Sequence, residues 1–340
     1  MTIITLSDAH LIIQKVSSFF AVSNNLFMVY MIHKKSPKSL GPYKHLLMCT
    51  SIFEIVYALL EVIISPEFYS YGSIIVCFIE LKTSMLGPFE LNILNSMYCG
   101  FFGVSLYFFA LQFIFRFLVS KKSKLLKSFD GYKILIWLCY PLTAGIMWGV
   151  SAYFLGRPTD VKSQFLAEPL FSDLGLNVNN TVYLGAHFYP KNSDGQSYID
   201  WESFIVISIM ISLMTVALLI ITIFGILCYI NLQRSTKISK ISKTHQGIQK
   251  QLFYALVAQT AIPLVFLILP VSTIYLCTIF NSGLGIYSAI CTIMVAFYLA
   301  VDPLPNLFII KNYRRAFFNM TQELCRCSKA KQRPQITRKF

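Results

Sequence analysis

"LAVDPLPNLFIIKNYRRAFF", Leu299–Phe318, sets one aspartate and two prolines inside an apolar run and ends on a knot of basic residues. Prolines remove backbone donors and bend helices. A spanning helix tolerates them when neighbouring helices or trapped water re-satisfy the freed carbonyls. The solvent around this stretch therefore decides how it is read.

Composition answers first. Hydrophobic residues make up 56% of the 340-residue chain and charged residues 13%. Soluble domains carry about 45–50% apolar and about 25% charged residues. With a mean hydropathy of +0.62, the chain lacks the polar surface to coat a globule in water. It reads as a membrane protein. The first ten residues hold no Lys or Arg, and no small-residue cleavage site follows. The first apolar run is therefore expected to stay as a span. The nine cysteines are scattered, mostly within apolar runs. Only Cys77 falls in an expected outer loop, so neither a disulfide framework nor a metal site is expected, and no cofactor is implied. The sequence shows no internal repeat, which weakens a transporter built from duplicated halves.

Seven runs reach the roughly 20 residues a span needs: about 11–32, 45–65, 92–119, 132–155, 201–230, 251–277 and 284–310. The expected fold is an all-α membrane protein, a seven-transmembrane helix bundle. The segments after spans one, three, five and seven hold 24 of the 29 Lys and Arg. The positive-inside rule then places the amino terminus outside and the carboxyl terminus in the cytoplasm. The same distribution accounts for the net charge of +14 without a nucleic-acid face. Residues 156–200 read as a polar outer loop with a glycosylation sequon at Asn179. A second sequon, at Asn319, falls on the cytoplasmic side and is expected to stay unmodified.

Carboxyl groups inside spans are expensive, about 2.5–3.5 kcal/mol each on insertion scales. Glu54, Glu61 and Asp302 carry that cost here. Counted from the flanking charges, Asn24, Asn25, Glu54 and Asp302 all lie roughly 12–14 Å above the inner edge. The depth predicts a shared polar cluster of Asn25, Glu54 and Asp302 holding a proton or a sodium ion. Separately protonated carboxyls bonded to backbone are the plainer reading. Glu61 shares a face with Glu54 and sits further out, as a ligand contact or a structural group. Gln259, Pro263, Phe266, Pro270 and Thr273 have the spacing of one helical face in span six. Pro263 and Pro303 are candidate hinges. Asn92, Asn95, Ser96, Cys99 and Gly103 form a small, polar stripe on span three, suited to close packing or to a pocket. After span seven, residues 311–321 read as an interfacial amphipathic helix. Residues 321–340 read as a basic cytoplasmic tail, with Cys325 and Cys327 as palmitoylation candidates.

"GPYKHLLMCTSIFEIVYALLEVI", "NSMYCGFFGVSLYFFALQFIFRF", "QKQLFYALVAQTAIPLVFLILP" and "FYLAVDPLPNLFIIKNYRRAFFN" resemble the str class of nematode serpentine chemoreceptors, which includes the diacetyl odorant receptor. The likeness runs from about residue 10 to residue 320. It implies a G-protein-coupled chemosensory receptor, not an enzyme, in the plasma membrane and specifically in the cilia of sensory neurons. The implied partners are an odorant or soluble small molecule, membrane lipid and a heterotrimeric G protein. "FRF", Phe115–Phe117, stands where rhodopsin-like receptors carry their DRY-type motif. The acid before Arg116 is absent, which puts an acid–arginine lock there in doubt. Asp302–Pro303 stands in the place of NPxxY. The disulfide of rhodopsin-like receptors between span three and the second outer loop cannot form, because residues 156–200 contain no cysteine.

On this reading a small neutral ligand enters from the outer face and meets Asn95, Cys99, Ser208, Phe266, Thr273, Ser288 and Thr292. Bending at Pro263 and Pro303 then opens a groove near Arg116, Lys243 and Lys250 for the G protein. An odorant-gated channel is the second reading, but known seven-span channels of that kind keep the amino terminus inside, against the lysine distribution. A transporter or intramembrane enzyme using the buried carboxyls is the third, and no paired catalytic motif accompanies them.

Overall fold

The computed structural model describes residues 6–36, 40–192, 194–238 and 243–331. α1 (Leu6–Lys35) and α2 (Tyr43–Ile64) open the bundle as an antiparallel pair. The chain then turns through a hairpin, β1 (Glu67–Tyr71) and β2 (Ile74–Glu80), before α3 (Pro88–Ser120). Proline at the first position of α3 costs nothing there, because that N–H would be unpaired anyway. α4 (Ile134–Leu155) is followed by α5 (Asp160–Leu174), β3 (Thr181–His187) and α6 (Trp201–Ile238). α7 (Lys243–Pro263), a π-helical turn (Leu264–Ile268) and α8 (Leu269–Ile279) form one continuous span. α9 (Ala289–Val301) and α10 (Leu304–Ile309) form the last, and α11 (Lys311–Lys331) follows.

Among the described residues six helical segments are long and apolar enough to cross a membrane. α1 takes the seventh place. Its 30 residues exceed the roughly 20 required, but His10, Gln14, Ser17, Ser18 and Asn25 line one buried face and dilute its apolar character. α3 is the central helix, and its small residues let α4 approach closely. A β-carbon on Gly100 would lie 2.7 Å from the Gly145 carbonyl oxygen. Ser96 Oγ donates to the Gly149 carbonyl at 2.9 Å across the same contact.

The main departure from expectation lies at the end of the bundle where α2 meets α3 and α4 meets α6. Residues 156–200 are not only a loop. Thr159 caps α5 by accepting from Lys162 N, and Gly175 ends the helix at φ +70°. β1, β2 and β3 then form an antiparallel sheet in that order. Together, sheet and α5 make a lid with its own small core of Tyr69, Ile74, Val76, Phe78, Leu166 and Leu170.

Two other expectations change. The π-turn after Pro263 inserts one residue into the helical repeat. Gln259, Pro263 and Pro270 stay buried while Thr273 rotates onto the exposed surface, so the five residues do not share a face. α11 continues to Lys331, ten residues past the expected end at 321, because no Gly or Pro interrupts it. Residues 332–340 of the expected tail lie outside the described residues.

Gly185 is the tightest point of the lid. A β-carbon there would sit 2.1 Å from the Ile75 carbonyl oxygen. Gly185→Ala should therefore destabilise the protein by about 1–3 kcal/mol, as overpacking does. A lowered thermal midpoint in detergent, relative to wild type, checks this. An unchanged midpoint contradicts it.

Candidate ligand cavity and polar core

In a strand, alternate side chains face opposite sides. On β2, Ile74, Val76 and Phe78 point toward α5, whereas Ile75 and Cys77 point into the bundle. Leu184 and Ala186 do the same on β3. Beneath this inner face lies a cavity. Its walls are Tyr98, Cys99 and Phe102 of α3, Trp148 and Ala152 of α4, and residues of α6, α8 and α9. Such a site suits an uncharged small molecule, since mostly apolar walls with few polar groups are the usual form of a small-ligand pocket.

The polar groups in it are few. Tyr98 is buried and its hydroxyl makes no well-formed hydrogen bond, with the Tyr57 side chain as its polar neighbour. Tyr275 donates to Met210 Sδ at 3.4 Å. The Cys77 and Cys99 thiols bond to each other; that bond, and burial after it, push the Cys77 thiol up from its ordinary pKa.

Of the seven residues expected to meet a ligand, only Cys99 lines this cavity. Three of the others fasten the lid. Asn95 Nδ2 donates to the Cys77 carbonyl at 2.8 Å. Ser288 Oγ accepts from Ser70 N at 3.0 Å, and Thr292 Oγ1 accepts from Phe68 N at 2.9 Å. On the third side, Ser203 Oγ accepts from His187 N at 2.8 Å. Each bond satisfies a backbone group that water cannot reach. Phe266 packs against the bundle core within the π-turn. Thr273 and Ser208 face outward, Thr273 returning its hydroxyl to the Leu269 carbonyl. Sequence reasoning missed Tyr57, Tyr98, Trp148 and Met210, because aromatic and apolar side chains that line a cavity look the same in sequence as those that fill a core.

The lid buries charge as well. Lys162 is 4% exposed, and its Nζ donates to the carbonyls of Arg157 and Gly185 at 3.2 and 3.1 Å. Burial lowers its pKa, opposed by Asp200 and Glu202. His187 is buried against Phe165, ring centroids 4.3 Å apart, and neither ring nitrogen has a partner. Burial first, and then Lys162, pull its pKa from 6.5 down to about 4, with Asp200 opposing.

Deeper in the bundle the structure brings Asn25, Glu54 and Asp302 together, all buried. Glu54 contacts both Asp302 and the Asn25 side chain. Asn25 Nδ2 donates to the Leu299 carbonyl at 3.3 Å, and Asn24 Nδ2 to the Ala300 carbonyl at 2.8 Å. Gln259 extends the cluster, donating to Asp302 Oδ2 at 2.6 Å and accepting from Asn306 Nδ2 at 2.9 Å. Two carboxyls in contact bond only when a proton sits between them, because two like charges there repel. Glu61 is not in the cavity wall. Gln14 and Ser18 of α1 donate to it at 3.2 and 3.4 Å, so it ties α1 to α2.

At the opposite end Arg116 does not snorkel to the surface. It is 3% exposed, with its guanidinium carbon 3.5 Å from the centre of the Tyr43 ring. Its Nη1 donates to Gln249 Oε1 of α7 at 3.3 Å, while Nε and Nη2 lack partners. Ring and amide occupy the place a carboxylate would take. Tyr43 is held in turn by donating to Gln112 Oε1 at 2.9 Å. Lys250 is half-buried on α7, and Lys243 opens that helix. The side chains of Lys243, Cys325 and Cys327 lie outside the described residues. Asn179 stands exposed on the lid.

A sequence profile of the family described as serpentine type 7TM GPCR chemoreceptor Str matches residues 10–318. The chain is similar to G-protein coupled receptor str-217 of Caenorhabditis elegans, 31% identical over 93% of this chain and 90% of that protein. It is also similar to Serpentine receptor class r-10 of Caenorhabditis briggsae, 27% identical over 86% and 85%. G-protein coupled receptor str-33 of Caenorhabditis elegans is 23% identical over 92% and 91%.

His187 gives the lid a pH dependence of definite sign. Folding holds the ring neutral, so between pH 6.5 and about 4 the unfolded lid binds more protons than the folded one. The stability contribution is whole above pH 6.5 and falls as the pH drops through that window. Amide exchange along β3 should accelerate on acidification, and His187→Phe should flatten the dependence. Equal acid sensitivity in the variant would contradict the assignment.

Proposed function

This chain belongs to the Str family of serpentine seven-transmembrane chemoreceptors, and we propose that it detects a small, uncharged odorant or soluble chemical in the cavity beneath the lid and signals to a heterotrimeric G protein. The observation that carries this reading is the apolar cavity between the inner face of the sheet and α3, α4 and α6. Tyr98, whose hydroxyl has only the Tyr57 side chain as a polar neighbour, is the group that orients the ligand, and the paired thiols of Cys77 and Cys99 offer soft contacts in the same wall.

The lid end faces outside and the basic end faces the cytoplasm. This orientation rests on the 24 of 29 Lys and Arg in segments at the basic end, and on the sequon at Asn179 at the other. Asn179 carries glycan; Cys325 and Cys327 are acylated and hold α11 against the inner leaflet. The protein works in the plasma membrane, in the cilia of sensory neurons.

Coupling follows the contacts. The cavity touches Val271 and Tyr275 of α8 and Val295 of α9. Those helices lead to the two breaks in the bundle, at the π-turn after Pro263 and at Asp302–Pro303. A ligand that fits one arrangement better shifts the population toward it. The shared proton between Glu54 and Asp302 keeps the two carboxyls together in the resting arrangement. Release of Arg116 from Tyr43 and Gln249 exposes the groove that Lys243 and Lys250 flank.

Two outcomes test the scheme. In cells expressing the chain, calcium imaging against a panel of volatile and water-soluble compounds should yield an active ligand. Ala152→Trp, which fills the cavity from α4, should then shift its dose response at least about tenfold, a loss of ~1.4 kcal/mol. Thr273→Ala, on the outward face, should leave the response unchanged. An unaltered response in Ala152→Trp at normal surface expression removes the cavity as the site. Second, Gln249→Ala removes a hydrogen bond to a charged group, worth about 1.5–3 kcal/mol. It should raise ligand-free nucleotide exchange on the G protein several-fold, and a basal rate at or below wild type contradicts Arg116 as the latch.

A further inference from the structure

We propose that ligands reach the cavity sideways, out of the membrane, through the seam between α4 and α6, and that the groove on the lipid side of this seam is a binding site for an apolar molecule carrying a hydrogen-bonding oxygen. The proposal rests on the reading of the cavity as the ligand site.

Three observations converge. The groove is bounded by Met147 of α4 and by Ile205, Ser208, Ile209 and Ser212 of α6. The cavity is bounded by Trp148 and Ala152 of the same α4, and by Val206, Ile207 and Met210 of the same α6. The two spaces thus lie on different faces of the same two helices, lined by residues adjacent in sequence. From the water side, in contrast, a molecule must cross a hydrogen-bonded three-stranded sheet with α5 packed on it.

The second observation is chemical. Thr143, Ser151, Thr215 and Thr273 are exposed on spanning helices, and each returns its hydroxyl to the carbonyl four residues back. Ser208 and Ser212 lie one turn apart in the groove and are exposed too. Among the described residues Ser208 and Ser212 make no such return bond, so both hydroxyls are free to face a guest. An unpaired hydroxyl in hydrocarbon is costly. A ketone, ester or alcohol oxygen lodged between them would relieve both.

The third is the shape of the seam. α4 and α6 both pack mainly on α3 and less on each other. No charged side chain lines the groove, so the path admits neutral molecules and rejects ions. Trp201, 69% exposed at the head of α6, marks its mouth at the level where tryptophan meets the lipid headgroups.

The native thiol of Cys99 reports arrival in the cavity. The full-length protein in lipid vesicles is treated with N-cyclohexylmaleimide, which is neutral, membrane-soluble and carries two carbonyl oxygens. A parallel sample receives the cationic reagent 2-(trimethylammonium)ethyl methanethiosulfonate. Labelling is followed site by site by mass spectrometry, with the lipid-exposed Cys139 as the reference. The maleimide should label Cys99 while the cation labels it at least about tenfold more slowly, since a fixed charge in hydrocarbon costs more than the ~1.4 kcal/mol that tenfold represents. Ser208→Trp, which plugs the groove and touches neither cavity nor lid, should slow maleimide labelling of Cys99 several-fold and leave Cys139 unchanged. Ser208→Ala combined with Ser212→Ala should slow it as well. Unchanged labelling in Ser208→Trp, or equal rates for the two reagents, overturns the lateral route and leaves the cavity standing as the ligand site. Slowing by the tryptophan but not by the alanines overturns recognition of the oxygen. If neither reagent labels Cys99 while Cys139 reacts normally, the cavity itself is closed to small molecules, and both readings fall together.

Discussion

A donor or acceptor inside this bundle has no water to turn to, and the rest of the structure depends on how each one is met. At the lid, backbone groups of β1, β2 and β3 are met by Thr292, Ser288, Asn95 and Ser203. One level down, Glu61 is met by Gln14 and Ser18. At the centre, Asn25, Glu54, Asp302, Gln259 and Asn306 meet one another. At the far end, Arg116 is met by the face of Tyr43 and by Gln249. Each layer joins residues far apart in the sequence, so polar pairing, with little hydrophobic drive between helices in lipid, helps set which helix stands beside which.

The breaks in the last two spans belong to this scheme. Pro263 has no N–H to give to the carbonyl of Gln259, four residues earlier. The side chain of that same Gln259 holds Asp302 and accepts from Asn306, on either side of the second break. One residue therefore joins the interruption in α7–α8 to the interruption in α9–α10. Two hydrogen bonds on a single amide thus tie the two breaks together.

Depth was legible in the sequence and direction was not. Charged flanks and a fixed rise per residue put Asn25, Glu54 and Asp302 at one level, and the structure has them in contact. The rotation of a helix about its axis is not fixed by such counting. The π-turn at Leu264–Ile268 adds a residue to the repeat, which is why Thr273 ends outside while Pro270 stays in. Asn95, Ser288 and Thr292 could be recognised as polar residues near one end, but their partners are backbone groups of strands hidden within segments read as loops. "SIIVCFIE" and "TVYLGAH" carry the signal of strands, apolar and β-branched in short runs, but seven much longer apolar runs dominate the pattern around them. The cavity itself left no trace, since empty space between aromatic residues has no composition of its own.

The lid's strands divide their labour by parity. On β2, Ile75 and Cys77 look into the cavity, while Ile74, Val76 and Phe78 hold α5. A substitution at an odd position reshapes the space beneath the sheet, and one at an even position alters how firmly the roof is built. The roof can therefore hold its fold while the shape of the room beneath it is varied from a different set of positions.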